Sequence, residues 1–134
     1  MIYTDEQLDF LSNHHWAVLA TGRRDGSPQQ AMVGYTMDAE GRLILSTQAS
    51  TAKWRNALRQ PKVCITVPDG RINVAVYGTA EGIEADPDRA ELTADFLAAI
   101  RGPDRPEPST IVDWMNAEGR RVLRITPEKV LMHE

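Results

Sequence analysis

Alternation of apolar and polar positions governs the first third of the chain. From Gln29 to Met37, Ala31, Val33, Tyr35 and Met37 fall on one side and Gln30, Met32, Gly34 and Thr36 on the other, which predicts a strand with one buried face. Trp16–Thr21 before it and Arg42–Thr47 after it are apolar runs of strand length. Asp25-Gly26, inside Arg24–Pro28, turns the chain between the first two strands, and Asp38–Gly41 between the second two. Three strands joined by tight turns predict an antiparallel meander. Val63–Val67, Ile72–Ile83 and Arg120–Thr126 bring the expected number of strands to six, with Pro68-Asp69-Gly70 turning the fourth into the fifth. Gly78 and Gly82 mark expected bends or bulges in the long fifth strand.

Helical spacing interrupts this pattern four times. Thr4 and Gln7 form a capping box ahead of Asp5–Leu11, with Leu8 and Leu11 on one face. Ser50–Leu58 is a short helix ended by Pro61, its apolar stripe formed by Trp54 and Leu58. Asp86 caps a helix that opens on Pro87, runs to Ile100 and is closed by Gly102. Ser109 is the expected cap of a last helix to Glu118, after the stiff connector Pro103–Pro108. The expectation is a mainly β domain spanning 1–134, a six-stranded antiparallel barrel with helical caps.

Composition narrows the function. Asp and Glu outnumber Lys and Arg 19 to 15, so there is no basic footprint for nucleic acid. No apolar run reaches the length of a membrane helix, and the N-terminus lacks the basic-then-apolar order of a signal peptide. With a single cysteine, Cys64, read as a small buried hydrophobe, the expected location is the cytoplasm. His14-His15 has no third ligand at usable spacing, so no metal is expected, and both read as surface or cap residues. No self-contained catalytic set is visible, and the catalytic residues are unassigned.

The informative stretch is Leu45–Pro61. A strand delivers Ser46 and Thr47 to a helix that starts near Ser50 or Thr51, where free N–H groups favour an anion. The Ser50 and Thr51 hydroxyls add donors, and Lys53 adds charge within the first turn. Lys53 and Asn56 share one helix face, Arg55 and Arg59 another. The densest basic cluster of an acidic chain thus lies where a phosphate can bind. A capped helix with solvated basic residues is the structural alternative.

The order of these features carries a resemblance. Ala20-Thr21, Asp25-Gly26-Ser27-Pro28, Val33-Gly34-Tyr35, Leu45-Ser46-Thr47, Lys53 with Asn56, Pro61 and Gly78-Thr79-Ala80-Glu81 together resemble the pyridoxamine 5'-phosphate oxidase-like split β-barrels. Within them the chain is similar to the group that uses the deazaflavin coenzyme F420, including biliverdin-reductase-like members; Leu11–Thr21 through Met37-Asp38 is especially similar. The resemblance spans about Asp5 to Ala85. It implies a homodimer whose two sites are each lined by both subunits. It implies that the backbone of Gln29, Gln30, Ala31 and Met32 lies along the tricyclic ring, that Ala49, Ser50, Thr51, Ala52 and Lys53 hold the phosphate, and that Asp69-Gly70 lies near the cofactor. Many relatives carry Arg two positions before the lysine, where this chain has Thr51.

The expected activity is hydride transfer from reduced F420 to a conjugated small-molecule acceptor, with biliverdin-like tetrapyrroles the first class to test. The cofactor carries the hydride and the protein orients and excludes water, in keeping with the lack of a catalytic set. The alternatives are an oxidoreductase using flavin mononucleotide (FMN) and a non-catalytic protein that stores the cofactor.

Overall fold

Strands form where the alternation is strongest, but their pairing departs from a simple meander. In a computed structural model, which describes residues 1–133, seven strands make one curled antiparallel sheet. They are β1 (Trp16–Gly22), β2 (Pro28–Gly34), β3 (Thr36–Met37), β4 (Leu43–Gln48), β5 (Lys62–Asp69), β6 (Ile72–Ile83) and β7 (Arg120–His133). Their order across the sheet is β2-β1-β5-β6-β7-β4-β3. Because β2 and β3 are consecutive in the chain yet stand at opposite edges, the sheet has to curl until those edges approach. That is the expected split barrel, with seven strands rather than six.

The extra strand comes from a break at Tyr35. Its N–H donates to the His15 carbonyl at 2.9 Å and its hydroxyl to the Leu11 carbonyl at 2.7 Å, with the ring only 1% exposed. The chain switches edge there while its side chains keep their inside–outside period, so alternation could not reveal the break. The meander is corrected at the same point: β1 pairs with β2 and β3 with β4, but β2 and β4 are not sheet neighbours.

β7 continues past the expected end at Thr126 to His133. Pro127 does not stop it, because the ladder slips between Tyr77 and Gly78, which face Lys129 and Pro127. Glu128 is left over at this bulge and accepts bonds from Lys62 Nζ and Thr79 Oγ1. A Cβ on Gly78 would run into the Thr126 carbonyl oxygen, hence the glycine. Gly82 is not a bulge: the ladder runs straight through its pairing with Leu123. A Cβ there would lie 2.7 Å from the Trp54 ring and 2.9 Å from Leu58, so Gly82 is a seat for the second helix.

The helices are α1 (Asp5–Ser12), α2 (Ala52–Arg59), α3 (Asp88–Arg101) and α4 (Val112–Glu118). The α1 capping box is present in both directions. Asp86 is not the cap of α3, which starts at Asp88 with Pro87 at the N-cap position, but its carboxylate still accepts the Ala90 N–H at 3.0 Å. Ser109 is not a cap; it lies inside a 3-10 turn, Pro108–Ile111, that leads directly into α4. The core packs Leu19, Leu43, Leu45, Ile65, Val67, Val74, Leu123 and Ile125 between the strands, with Leu11 from α1 and Trp54 from α2. Leu58 does not complete the expected stripe inside, since it is 49% exposed. α3 lies outside the barrel, with Phe96 and Ile100 against Gly34 at the seam where β2 gives way to β3.

His14 fastens α1 to the β5–β6 turn. Its Nδ1 meets the Phe10 carbonyl at 2.7 Å, its Nε2 meets Asp69 at 2.9 Å, and its ring stacks on Phe10. Both ring nitrogens face acceptors, so the doubly protonated ring fits best; the Phe10 carbonyl first, then the Asp69 carboxylate, hold its pKa above the ordinary histidine value. A raised folded-state pKa adds stability that is complete below the unfolded value and is lost as the pH climbs through the folded one. The melting temperature of the wild type should therefore exceed that of His14→Gln at about pH 5.5 and converge on it by about pH 8.5. A gap that widens toward alkaline pH would refute the charged clasp.

Candidate functional site

Strand β4 delivers the chain to α2 beside the start of β7. Gln48 pairs with Arg120, and the Ala49 N–H donates to the Gly119 carbonyl at 2.9 Å. Thr51 is the α2 N-cap: its oxygen accepts the Trp54 N–H, and its proton goes to the Gln48 carbonyl at 2.8 Å. That hydroxyl is thereby spent on holding the helix start and does not act as the free donor that the sequence suggested. Ser50 stays exposed, its carbonyl accepting from Arg55 at 2.9 Å.

Lys53 is half-buried and, among the described residues, has neither a hydrogen bond nor an ion pair. Desolvation, and secondarily the charge of Arg120, hold its pKa below the ordinary lysine value. A partly desolvated cation beside another cation is costly unless an anion arrives.

The next turn of α2 faces the β1–β2 turn across a cleft of ≈ 380 Å³. Arg23, Arg24 and Asp25 line one side, Ala52, Arg55, Asn56 and Arg59 the other, with Gln29 between them. A polar chain through buried Thr21 and Asn56 sets the cleft's shape. Arg59 donates to Asn56 Oδ1 at 2.9 Å, Asn56 donates to Thr21 Oγ1 at 3.2 Å, and Thr21 donates to Gln29 Oε1 at 3.2 Å. Asn56 thus acts by position, tying α2 to β1 and β2. Arg42, Arg89, Arg105, Arg120, Arg121, Arg124 and Lys62 all have carboxylate partners. Arg23, Arg24, Lys53, Arg55 and Arg59 have none among the described residues. Five cations without an ion pair thus surround one short helix, with Asp25 the carboxylate in the cleft lining, whereas Arg71, Arg101 and Lys129 are unpaired away from α2 among the described residues; the local charge is one that favours an anion. Arg23 and Arg24 were missed in the sequence, although two adjacent arginines flanking a tight turn were the available signal.

The remaining predicted residues fall in two other places. β2 is an edge strand, so part of its backbone polar groups point away from β1. Gln29 and Ala31 are half-buried, whereas Gln30 and Met32 look outward, Met32 being 66% exposed. Asp69 and Gly70 sit beside the start of β1, since Val18 pairs with Thr66, while Asn56 meets Thr21 near its end. Roughly 16 Å of strand separates those two ends, so one chain does not bring Asp69-Gly70 to Lys53. The Gly70 φ of 61° is the left-handed geometry that suits glycine in this turn.

Outside the barrel the same registers build a bare sheet face. Met32, Val18, Thr66, Ala75 and Leu131 form one cross-strand row, and Gln30, Ala20, Cys64, Tyr77 and Lys129 the next. Cys64 is therefore a half-buried residue of the outer face rather than of the core, and burial pushes its thiol pKa up.

Among the described residues, no group of three or more His, Cys, Asp and Glu could hold a metal ion, and no helix is long and apolar enough to cross a membrane. Against known proteins, the chain is 33% identical over 113 residues, 81% of its own length and 80% of the relative's, to an F420H(2)-dependent biliverdin reductase of Mycobacterium tuberculosis (strain CDC 1551 / Oshkosh). A crystal structure of a conserved hypothetical protein from Mycobacterium tuberculosis superposes with a TM-score of 0.84 at 24% identity, covering 100% of this chain and 86% of that one. A solved F420 reductase superposes at 0.72 with 21% identity, covering 96% and 98%. Residues 3–134 match the pyridoxamine 5'-phosphate oxidase family, and the chain belongs to that family.

Proposed function

We propose that this protein is an F420-dependent reductase that passes a hydride from the reduced deazaflavin to a conjugated small-molecule acceptor, with biliverdin-like tetrapyrroles the first class to test. The observation that carries the reading is the set of five unpaired cations around α2, joined to the 33% identity with an F420H(2)-dependent biliverdin reductase. The residues present fit a phosphorylated, anionic cofactor. Lys53 and the N–H groups at the start of α2 would take its phosphate, with Ala49, Ser50, Thr51 and Ala52 shaping the approach. Arg23, Arg24, Arg55 and Arg59 supply further charge for its anionic end. Gln29, Gln30, Ala31 and Met32 offer the edge-strand backbone to its ring. When bound, the cofactor supplies the hydride. The protein's part is to bind, orient and keep water away, and no side chain is assigned as proton donor.

The decisive experiment is a fluorescence titration of the purified protein with F420 and, separately, with FMN. Tighter binding of F420 is expected; tighter binding of FMN would move the protein to the flavin-dependent side of its family. Tight F420 binding with no turnover of any conjugated acceptor would make it a cofactor carrier.

The site is proposed to be completed by a second copy of the chain, forming a homodimer. The bare outer face of β2, β1, β5 and β6 is built of small and apolar residues, an unusual surface to leave in water. The distance of Asp69-Gly70 from Lys53 within one chain is also what a site shared between two copies requires. Sedimentation velocity should give a dimer for the wild type and a monomer for Thr66→Lys, which places a charge at the centre of that face. A wild-type monomer across the micromolar range would remove this part of the proposal.

A further inference from the structure

Away from α2, one other cavity joins an apolar floor to a cation that has no carboxylate partner. The connector after α3 folds back over the end of that helix and leaves an open pocket of ≈ 390 Å³. Leu97, Pro103, Pro106 and Ile111 line it together with Arg101 and Asp104. The connector is pinned in place: Arg105 donates to Asp95 at 2.7 Å and to the carboxylate of Glu91. Prolines at 103, 106 and 108 fix its backbone further. The cavity is therefore open before any ligand arrives, which lowers the ordering cost of filling it.

Its chemistry is asymmetric. Arg101 lies 5.6 Å from the centre of the Trp114 ring and Arg120 lies 5.3 Å from the same ring. Arg120 is neutralised by Glu118, at 2.8 Å, and Trp114 Nε1 donates to that same carboxyl group. Arg101 forms no ion pair among the described residues, although its charge reaches the Glu118 carboxylate, and Asp104 in the same lining would repel an anion placed on its own side. An apolar pocket with one available guanidinium against an indole suits a flat apolar molecule with an acid group at one end.

We propose that this connector pocket binds a flat organic anion, its body on Leu97, Pro106 and Ile111 and its acid group on Arg101. Contacts join the pocket to the anion site: Arg101 and Arg120 share Trp114, and Arg120 pairs with Gln48 just ahead of the helix that carries Lys53.

The test uses the whole chain without cofactor and anilinonaphthalene sulfonate, a flat apolar anion, as the probe. Saturable fluorescence at one probe per chain is expected. Arg101→Gln should weaken binding about fivefold to tenfold and Arg101→Lys should restore most of it, with melting temperatures unchanged. Equal affinity in Arg101→Gln and wild type, or no saturable binding to the wild type, overturns the pocket. A protein that binds neither F420 nor FMN defeats the reductase reading, while the probe titration still decides the pocket.

Discussion

Lys53→Ala should weaken F420 binding by tenfold or more while leaving the melting temperature of the free protein unchanged or slightly raised. The two halves of this result have one cause. In the free protein, Lys53 is half-buried without a partner and near Arg120, so its charge is held at a cost and its pKa is depressed. A depressed lysine pKa means the unfolded chain holds the proton more tightly, so the charged side chain subtracts from stability at neutral pH. Removing it lifts that penalty. The bound phosphate reverses the balance, because a charge-assisted contact in a partly desolvated notch is worth ~1.5–3 kcal/mol, or at least about tenfold in affinity. Titration of the variant with F420, beside a thermal melt without cofactor, measures both. Lost affinity together with a lower melting temperature would make Lys53 a structural residue instead.

That opposition between stability and binding is a property of the whole α2 region. Elsewhere the chain neutralises most of its arginines, Arg71 and Arg101 excepted among the described residues, as at Arg42 with Asp38 at 2.7 Å and Arg124 with Glu81 at 2.7 Å. Around α2 it does not. The carboxylates that could have paired Arg55 and Arg59 are absent from the facing turn except for Asp25, whose Oδ1 takes both the Ser27 N–H and the Ser27 hydroxyl. A neutralised cleft would be more stable and would bind anions poorly.

Much of this was legible in the sequence because it is local. The Thr4–Gln7 capping box, the Asp38–Gly41 turn and the basic helix after Leu45 each follow from residues a few positions apart. The failures are non-local. Alternation ran unbroken through Tyr35, yet the strand changes edge there, held by His15 and Leu11. By its sequence the last strand ends at Thr126, whereas in the fold it continues through Pro127 because a bulge opposite Gly78 absorbs the ladder bond that a proline removes. Arg23 and Arg24 joined the site only through folding, which sets the β1–β2 turn against a helix about thirty residues later. Gly82 looked like a bend because the sequence does not show that Trp54 packs on it.

Arg89→Met should produce the largest loss of stability of any single change considered. Arg89 sits on the inner face of α3 with a side chain only 5% exposed. Its guanidinium donates to Asp86 at 3.1 and 2.9 Å, to Asn116 Oδ1 at 2.8 Å and to the Arg120 carbonyl at 3.3 Å. One side chain thereby joins the start of α3, the body of α4 and the first residue of β7. Methionine fills similar volume but leaves the Asn116 amide oxygen without its donor and Asp86 without its cation, and the Arg120 carbonyl keeps only the Arg121 guanidinium, at 3.0 Å. The expected cost is about 3 kcal/mol, or roughly 10 °C in melting temperature for a chain of this length. Asp86→Asn should cost less, because Asp86 is one-third exposed and the amide oxygen can still accept the Ala90 N–H. Arg89→Lys should recover little, since one ammonium cannot reach three separated acceptors at once. A melting temperature within 2–3 °C of wild type for Arg89→Met, roughly the effect of a surface change, would show that α3 and α4 are held by their apolar contacts alone.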